Sequence, residues 1–159
     1  MSVHSVLLAQ YHAALQMLKQ AIEKCPPEMW DDPQDRNRFW QVAYHALFYT
    51  LLYSHTSLQT FQAWPGHREA INRMGELPAD SIAYTRAEIL ECWKHCREQI
   101  DTLLPQANLE GESGFHWLRF SKLEALIYNL RHLEQHTGEL MERLGSRAQI
   151  EVDWQSSLP

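Results

Sequence analysis

Glycine is scarce in this chain, at 6 of 159 residues, and no alternating apolar and polar run is bounded by turn residues. Nothing therefore supports a sheet built from hairpins. Cysteine is equally sparse. Cys25, Cys92 and Cys96 are an odd number in no disulfide-framework spacing, which excludes a stapled scaffold and fits a reducing compartment. No cluster of Lys and Arg stands out and the formal net charge is -6, so a nucleic-acid partner is excluded. No apolar segment reaches the roughly 18 residues of a membrane span. Residues 1–15, MSVHSVLLAQYHAAL, lack a positive leader and a long apolar run, so a cytoplasmic location is expected. H-E-x-x-H, Glu-x-x-His, P-loop and G-x-G-x-x-G motifs are all missing, which leaves the common zincin, di-iron carboxylate and nucleotide-binding signatures without support.

What is present is apolar spacing of helical period. Apolar residues make up 45% and charged residues 21%, ordinary values for a chain that folds alone. The spacing predicts a first helix from about Ser2 or Ser5 to Lys24, stopped by Cys25-Pro26-Pro27. A second helix is expected from about Asn37 to Ala63. Its middle, VAYHALFYTLLY, is apolar on nearly every side, as a helix buried between neighbours would be. Thr85-Arg86-Ala87-Glu88 has capping-box spacing and starts a third helix that runs to about Leu104. Ser121-Lys122-Leu123-Glu124 repeats that spacing, and Gly145 stands where a fourth helix of about 121–144 would close. The fold class expected is all-α, a four-helix bundle in residues 1–145. Residues 146–159 form a C-terminal tail that Ile150, Val152 and Trp154 anchor in part.

Nine histidines occur, and two of them, His132 and His136 in NLRHLEQHTGEL, are four residues apart. At 100° per residue they project about 40° apart from the edge of the stripe formed by Leu123, Leu126, Leu130, Leu133 and Leu140. An H-x-x-x-H pair alone is weak evidence, because nine histidines on helical segments produce such pairs by chance. A third nitrogen would make the pair a metal site, and His45 in the apolar second helix is the candidate. Three imidazoles suit a borderline cation such as Zn²⁺ or Ni²⁺ and leave positions open to water or substrate. Glu139 falls on the same side of the last helix as the pair and is the candidate orienter or base, whereas Glu134 projects about 160° from His132. Asn129 and Tyr49 are candidate pocket-lining polar groups. Cys92 and Cys96, at i and i+4 around His95, could hold a soft metal, but also read as small apolar residues on a helix face.

FWQVAYHALFYTLLY, TRAEILECWKHCREQIDTLL and KLEALIYNLRHLEQHTGEL together resemble the DinB-like superfamily over about residues 5–144. The resemblance implies an up-down-down-up four-helix bundle, often a homodimer. It also implies a divalent metal held by one histidine of the second helix and an HxxxH pair of the last, which match His45, His132 and His136. Characterised relatives include metal-dependent transferases that use a low-molecular-weight thiol, and a thiol-dependent isomerase. By that resemblance the chain would be a divalent-metal-binding enzyme of the thiol-transferase type acting on a small molecule, with a low-molecular-weight thiol as co-substrate. The alternative is a non-catalytic metal-binding or stress-response bundle.

Overall fold

The structure, a computed structural model, describes residues 1–157; the last two residues of the expected tail, Leu158 and Pro159, lie outside the described residues. Among the described residues there are five helices and no strand. They are α1 (Val3–Lys24), α2 (Pro27–Trp30), α3 (Phe39–Ser54), α4 (Arg86–Leu103) and α5 (Lys122–Ala148), with a 3-10 turn at Leu104–Gln106.

The chain's punctuation explains most of these bounds. Ser2 and Ser5 form a reciprocal capping box at the start of α1, and Pro26-Pro27 ends it, Pro27 then occupying the first turn of the short α2. At α4 the amide of Thr85 donates to Glu88 Oε2 at 2.7 Å, and the amide of Glu88 donates to Thr85 Oγ1 at 3.2 Å. At α5 only the forward half of the box forms, the Glu124 amide donating to Ser121 Oγ at 3.2 Å.

Two bounds differ from the sequence expectation. α3 stops at Ser54 rather than Ala63. The buried ammonium of Lys122 donates to the carbonyls of Tyr53 and His55, supplying the donors that a further helical turn would have supplied. Beyond it, Ser57 and Thr60 bond each other's backbone and side chains, a local alternative to helix. α5 runs past Gly145 to Ala148 and ends at Gln149, which adopts the left-handed conformation (φ 57°). The last turn is held from outside, because Arg147 pairs with Asp32 and Asp35, while Ile150 and Val152 pack against the core. Trp154, by contrast, is exposed.

α1, α3, α4 and α5 surround one core in which Tyr11, Trp40, Tyr44 and Tyr84 are almost wholly buried. α3 packs chiefly on α5 and α4, and α1 on the same two helices. Polar ties fix how they meet. Tyr11 Oη donates to the Leu126 carbonyl at 2.7 Å, Trp93 Nε1 to the Leu15 carbonyl at 2.7 Å, and Asn129 Nδ2 to the Thr50 carbonyl at 3.0 Å. The connector between α3 and α4 contains turns only, and Tyr84 pins it by donating to the Gly66 carbonyl and accepting from the Arg68 amide.

Candidate metal centre

α3 is apolar nearly all round, so it is buried by its neighbours wherever they can reach it, and His45 near its middle must share that environment. α5 presents His132 and His136 one turn apart beside its leucine stripe, facing α3. The packing of α3 on α5 brings the three imidazoles together. One ligand atom from each of His45, His132 and His136 lies within 4.8 Å of the others, and no other such group of His, Cys, Asp or Glu occurs among the described residues. The ring centroids are 4.6 to 5.0 Å apart. His45 and His132 are half-buried and His136 is 7% exposed, so the cluster sits at the rim of the core with one side reachable from outside.

Hydrogen bonds fix which nitrogen of two rings is available. His45 Nδ1 lies 2.8 Å from the Asn72 carbonyl, which only accepts, so Nδ1 carries the proton and Nε2 presents a lone pair. His136 Nδ1 lies 3.2 Å from Glu139 Oε2, which leaves its Nε2 equally free. His45 Nε2 and His132 Nε2 face each other at 3.1 Å, and His132 Nδ1 is buried without a hydrogen-bond partner among the described residues. Two nitrogens at that spacing fit adjacent ligands of one cation at about 2.0–2.1 Å from each. The donor set, neutral imidazoles backed by a carbonyl and a carboxylate, is also one that a Zn²⁺-like ion accepts.

Protonation competes poorly for these lone pairs. Burial pushes His45 down to about 4, and the neighbouring His136 adds to this, while the Asn72 carbonyl and Glu139 oppose it. His132 is pushed down to about 4 by burial and by the other two imidazoles. Glu139 is held below the usual carboxylate range, first by the His136 N–H and then by Arg143.

The remaining candidates separate clearly. Glu139 touches His136 and so backs a ring of the cluster. Tyr49 packs 4.7 Å from the His45 ring and 5.6 Å from the His132 ring, forming one wall. Asn129 does not line the site. It is fully buried and spends its amide on Thr50, tying α5 to α3 in the core. Cys92 and Cys96 are buried, with Cys96 Sγ 3.8 Å from the Leu47 carbonyl, and burial pushes the Cys96 thiol up to about 12. They are packing residues and do not join the imidazoles. Of the other histidines, His12 and His55 are buried. His12 bonds Asp101 and His55 the Leu51 carbonyl, so neither is a surface residue. Asn72 and Arg143 went unnoticed in the sequence. Asn72 acts through its main chain, which carries no side-chain signature, and Arg143 reads as an ordinary helix cation four residues after Glu139.

In comparisons with known proteins, no family model, no curated protein and no solved structure matches the chain.

Proposed function

We propose that this chain is a divalent-metal protein of the DinB-like kind, with His45, His132 and His136 as ligands through Nε2. The observation that carries this reading is the convergence of three imidazoles from two helices, with Nε2 of His45 and His132 3.1 Å apart and the Nδ1 protons of His45 and His136 spent elsewhere. Zn²⁺ or Ni²⁺ suits the ligand set. The cation, when bound to three neutral ligands, keeps its full charge and so lowers the pKa of a thiol or water that reaches it.

The chain's own residues divide the remaining work. Asn72 and Glu139 hold two of the rings in their tautomers, and the Tyr49 ring walls the site beside His45 and His132. Glu139, kept ionised by the His136 N–H and by Arg143, is the carboxylate that holds the His136 proton on Nδ1 and turns Nε2 toward the other two rings. Together with the resemblance, which supplies the thiol chemistry, these features support a metal-dependent transferase that activates a low-molecular-weight thiol toward a small electrophile; the cytoplasmic location rests on the sequence alone. The partial exposure of His45 and His132 favours the transferase over a closed structural site.

An up-down-down-up bundle is part of the same reading. His12 bonds Asp101 and Trp93 bonds Leu15, which supports antiparallel α1 and α4, while Tyr11 bonds Leu126 and Lys24 bonds Glu151, which supports parallel α1 and α5. Asn129 to Thr50 and Lys122 to Tyr53 support antiparallel α3 and α5. The resemblance also carries the homodimer, for which light scattering of the purified protein is the check.

The test is metal analysis of protein purified without a histidine tag, followed by a screen for metal-dependent conjugation of electrophiles with cellular thiols. Stoichiometric metal that is lost in His45→Ala, His132→Ala and His136→Ala, together with thiol-dependent turnover, is the expected result. Full metal occupancy with no turnover across thiols and electrophiles would leave a non-catalytic metal protein and overturn the transferase. Absence of metal binding would overturn both.

A further inference from the structure

Glu139 reaches His136 on a flexible side chain that is one-third exposed, so something must hold the carboxylate in place for it to orient the ring. Arg143 stands one turn further along α5, its side chain 16% exposed. One arm of its guanidinium, Nη2, pairs with Glu139 Oε1. The other arm, Nη1, donates to the main-chain carbonyl of Asn37 at 2.8 Å and lies 3.7 Å from Asp35 Oδ2. Asp35 is in turn gripped by Arg147 at 2.8 and 2.9 Å. A surface arginine with a single partner would roam, whereas this one is fixed at both ends.

The Asn37 end leads back to the other side of the same site. Asn37 Oδ1 accepts from the Gly75 amide at 2.7 Å. Gln41, fully buried and one turn before His45 on α3, donates through Nε2 to the carbonyls of Arg73 and Gly75, each at 3.0 Å. These bonds pin the segment whose Asn72 carbonyl accepts from His45. The groups that orient His136 and His45 therefore belong to one hydrogen-bonded circuit, closed by Arg143 across the start of α3.

Resting on the metal reading above, we infer that Arg143 is a positioning residue for the metal centre, acting on His136 through Glu139 and tied through Asn37 to the segment that orients His45. Its role is geometric. Removing it frees the Glu139 carboxylate to turn toward solvent and His136 to swing away from the other two rings.

The experiment is Co²⁺ and Zn²⁺ titration against a chelating dye for the wild type, Arg143→Gln, Arg143→Lys, Glu139→Gln and the Glu139→Gln/Arg143→Gln double variant. Lys94→Gln, on an exposed part of α4, serves as the charge control. Arg143→Gln is expected to weaken binding about tenfold, the lower end of what removal of an outer-shell partner costs. In the Glu139→Gln background it adds less than about twofold, because the two residues act in series. Arg143→Lys recovers only part of the loss, since an ammonium cannot hold both partners in a fork. It also carries the test if Arg143→Gln does not fold. Lys94→Gln binds as the wild type does. Unchanged affinity in both Arg143 variants, or an undiminished loss in the Glu139→Gln background, overturns the inference while leaving the metal reading intact. A wild type without saturable Co²⁺ or Zn²⁺ binding overturns the metal reading and this inference with it.

Discussion

His45 and His132 face each other Nε2 to Nε2 at 3.1 Å, and the proton inventory of the pair does not close without a third party. His45 has committed its N–H to Asn72. If His132 donates from Nε2 to His45, its own Nδ1 is a bare, buried acceptor; if it keeps the proton on Nδ1, that donor is buried and unbonded and two lone pairs oppose each other. One cation between the rings takes both lone pairs, ends their opposition and fixes the His132 proton on Nδ1.

The first prediction follows from that conflict. Zn²⁺ at about 100 times its Kd raises stability by about 2.7 kcal/mol, because it binds the folded chain alone. His132→Ala abolishes that gain. In metal-free protein the same substitution is expected to cost less than the 2 kcal/mol or more typical of a large buried side chain, since it also deletes an unsatisfied polar atom. Thermal melts with Zn²⁺ and with a chelator check both parts, and a wild-type melting temperature indifferent to divalent metals would refute the first.

The pH dependence has a definite sign. His45 and His132 both sit at about 4 in the folded protein, below the ordinary value of 6.5, so between those values the unfolded chain binds more protons than the folded one. Stability they contribute is fully present above about 6.5 and is lost as pH falls toward 4. His136, Glu139 and Tyr49 lie around these rings; His136 disfavours protonation of both, and the Glu139 carboxylate favours that of His45 alone. Metal-free protein should therefore show falling stability in chemical denaturation from pH 6.5 to 4, and His45→Ala should flatten that slope. An equal slope in the variant would assign the acid sensitivity elsewhere.

Much of this was legible in sequence because the signals were local. Ser2, Thr85 and Ser121 each sit at a helix start, and the stripe from Leu123 to Leu140 set the face on which His132 and His136 lie. His45 was identifiable because a polar residue in an all-apolar helix needs a partner. What escaped depended on contacts far apart in the chain. α3 ends at Ser54 because Lys122 arrives from 67 residues away to cap it, and α5 continues past Gly145 with its last turn held by Arg147 on Asp32 and Asp35. Asn129 looked like a pocket residue because its row on the helix is polar, yet the carbonyl it bonds, that of Thr50, belongs to the buried helix α3.

Lys122 gives a prediction of its own. Lys122 is 3% exposed, its ammonium bonds two carbonyls at the end of α3, and burial alone pushes it down to about 8. Lys122→Met keeps the aliphatic volume but strands both carbonyls, at a cost of about 2 kcal/mol at pH 7. Because the folded value lies below the unfolded 10.5, the lysine's own contribution grows as pH rises through 8. The gap between wild type and Lys122→Met should accordingly widen from pH 7 to 9.5 in urea titrations, and a constant gap would contradict the buried ammonium.

Gly138 lies on the exposed side of α5, between Thr137 and Glu139, and a Cβ there would meet nothing within 4 Å. Gly145 is equally free, and neither glycine has a positive φ. A glycine in a helix interior costs about 0.5–1 kcal/mol relative to alanine, through the extra freedom of the unfolded chain. Gly138→Ala and Gly145→Ala should each stabilise the protein by about that much and add when combined, since they are two turns apart and share no partner. Gly138 adjoins Glu139, so stiffening the helix there should leave metal affinity unchanged or tighter. If Gly138→Ala stabilises the fold but weakens metal binding, α5 must bend at that point to bring His132 and His136 onto the ion, and the rigid arrangement of the three rings would have to be abandoned.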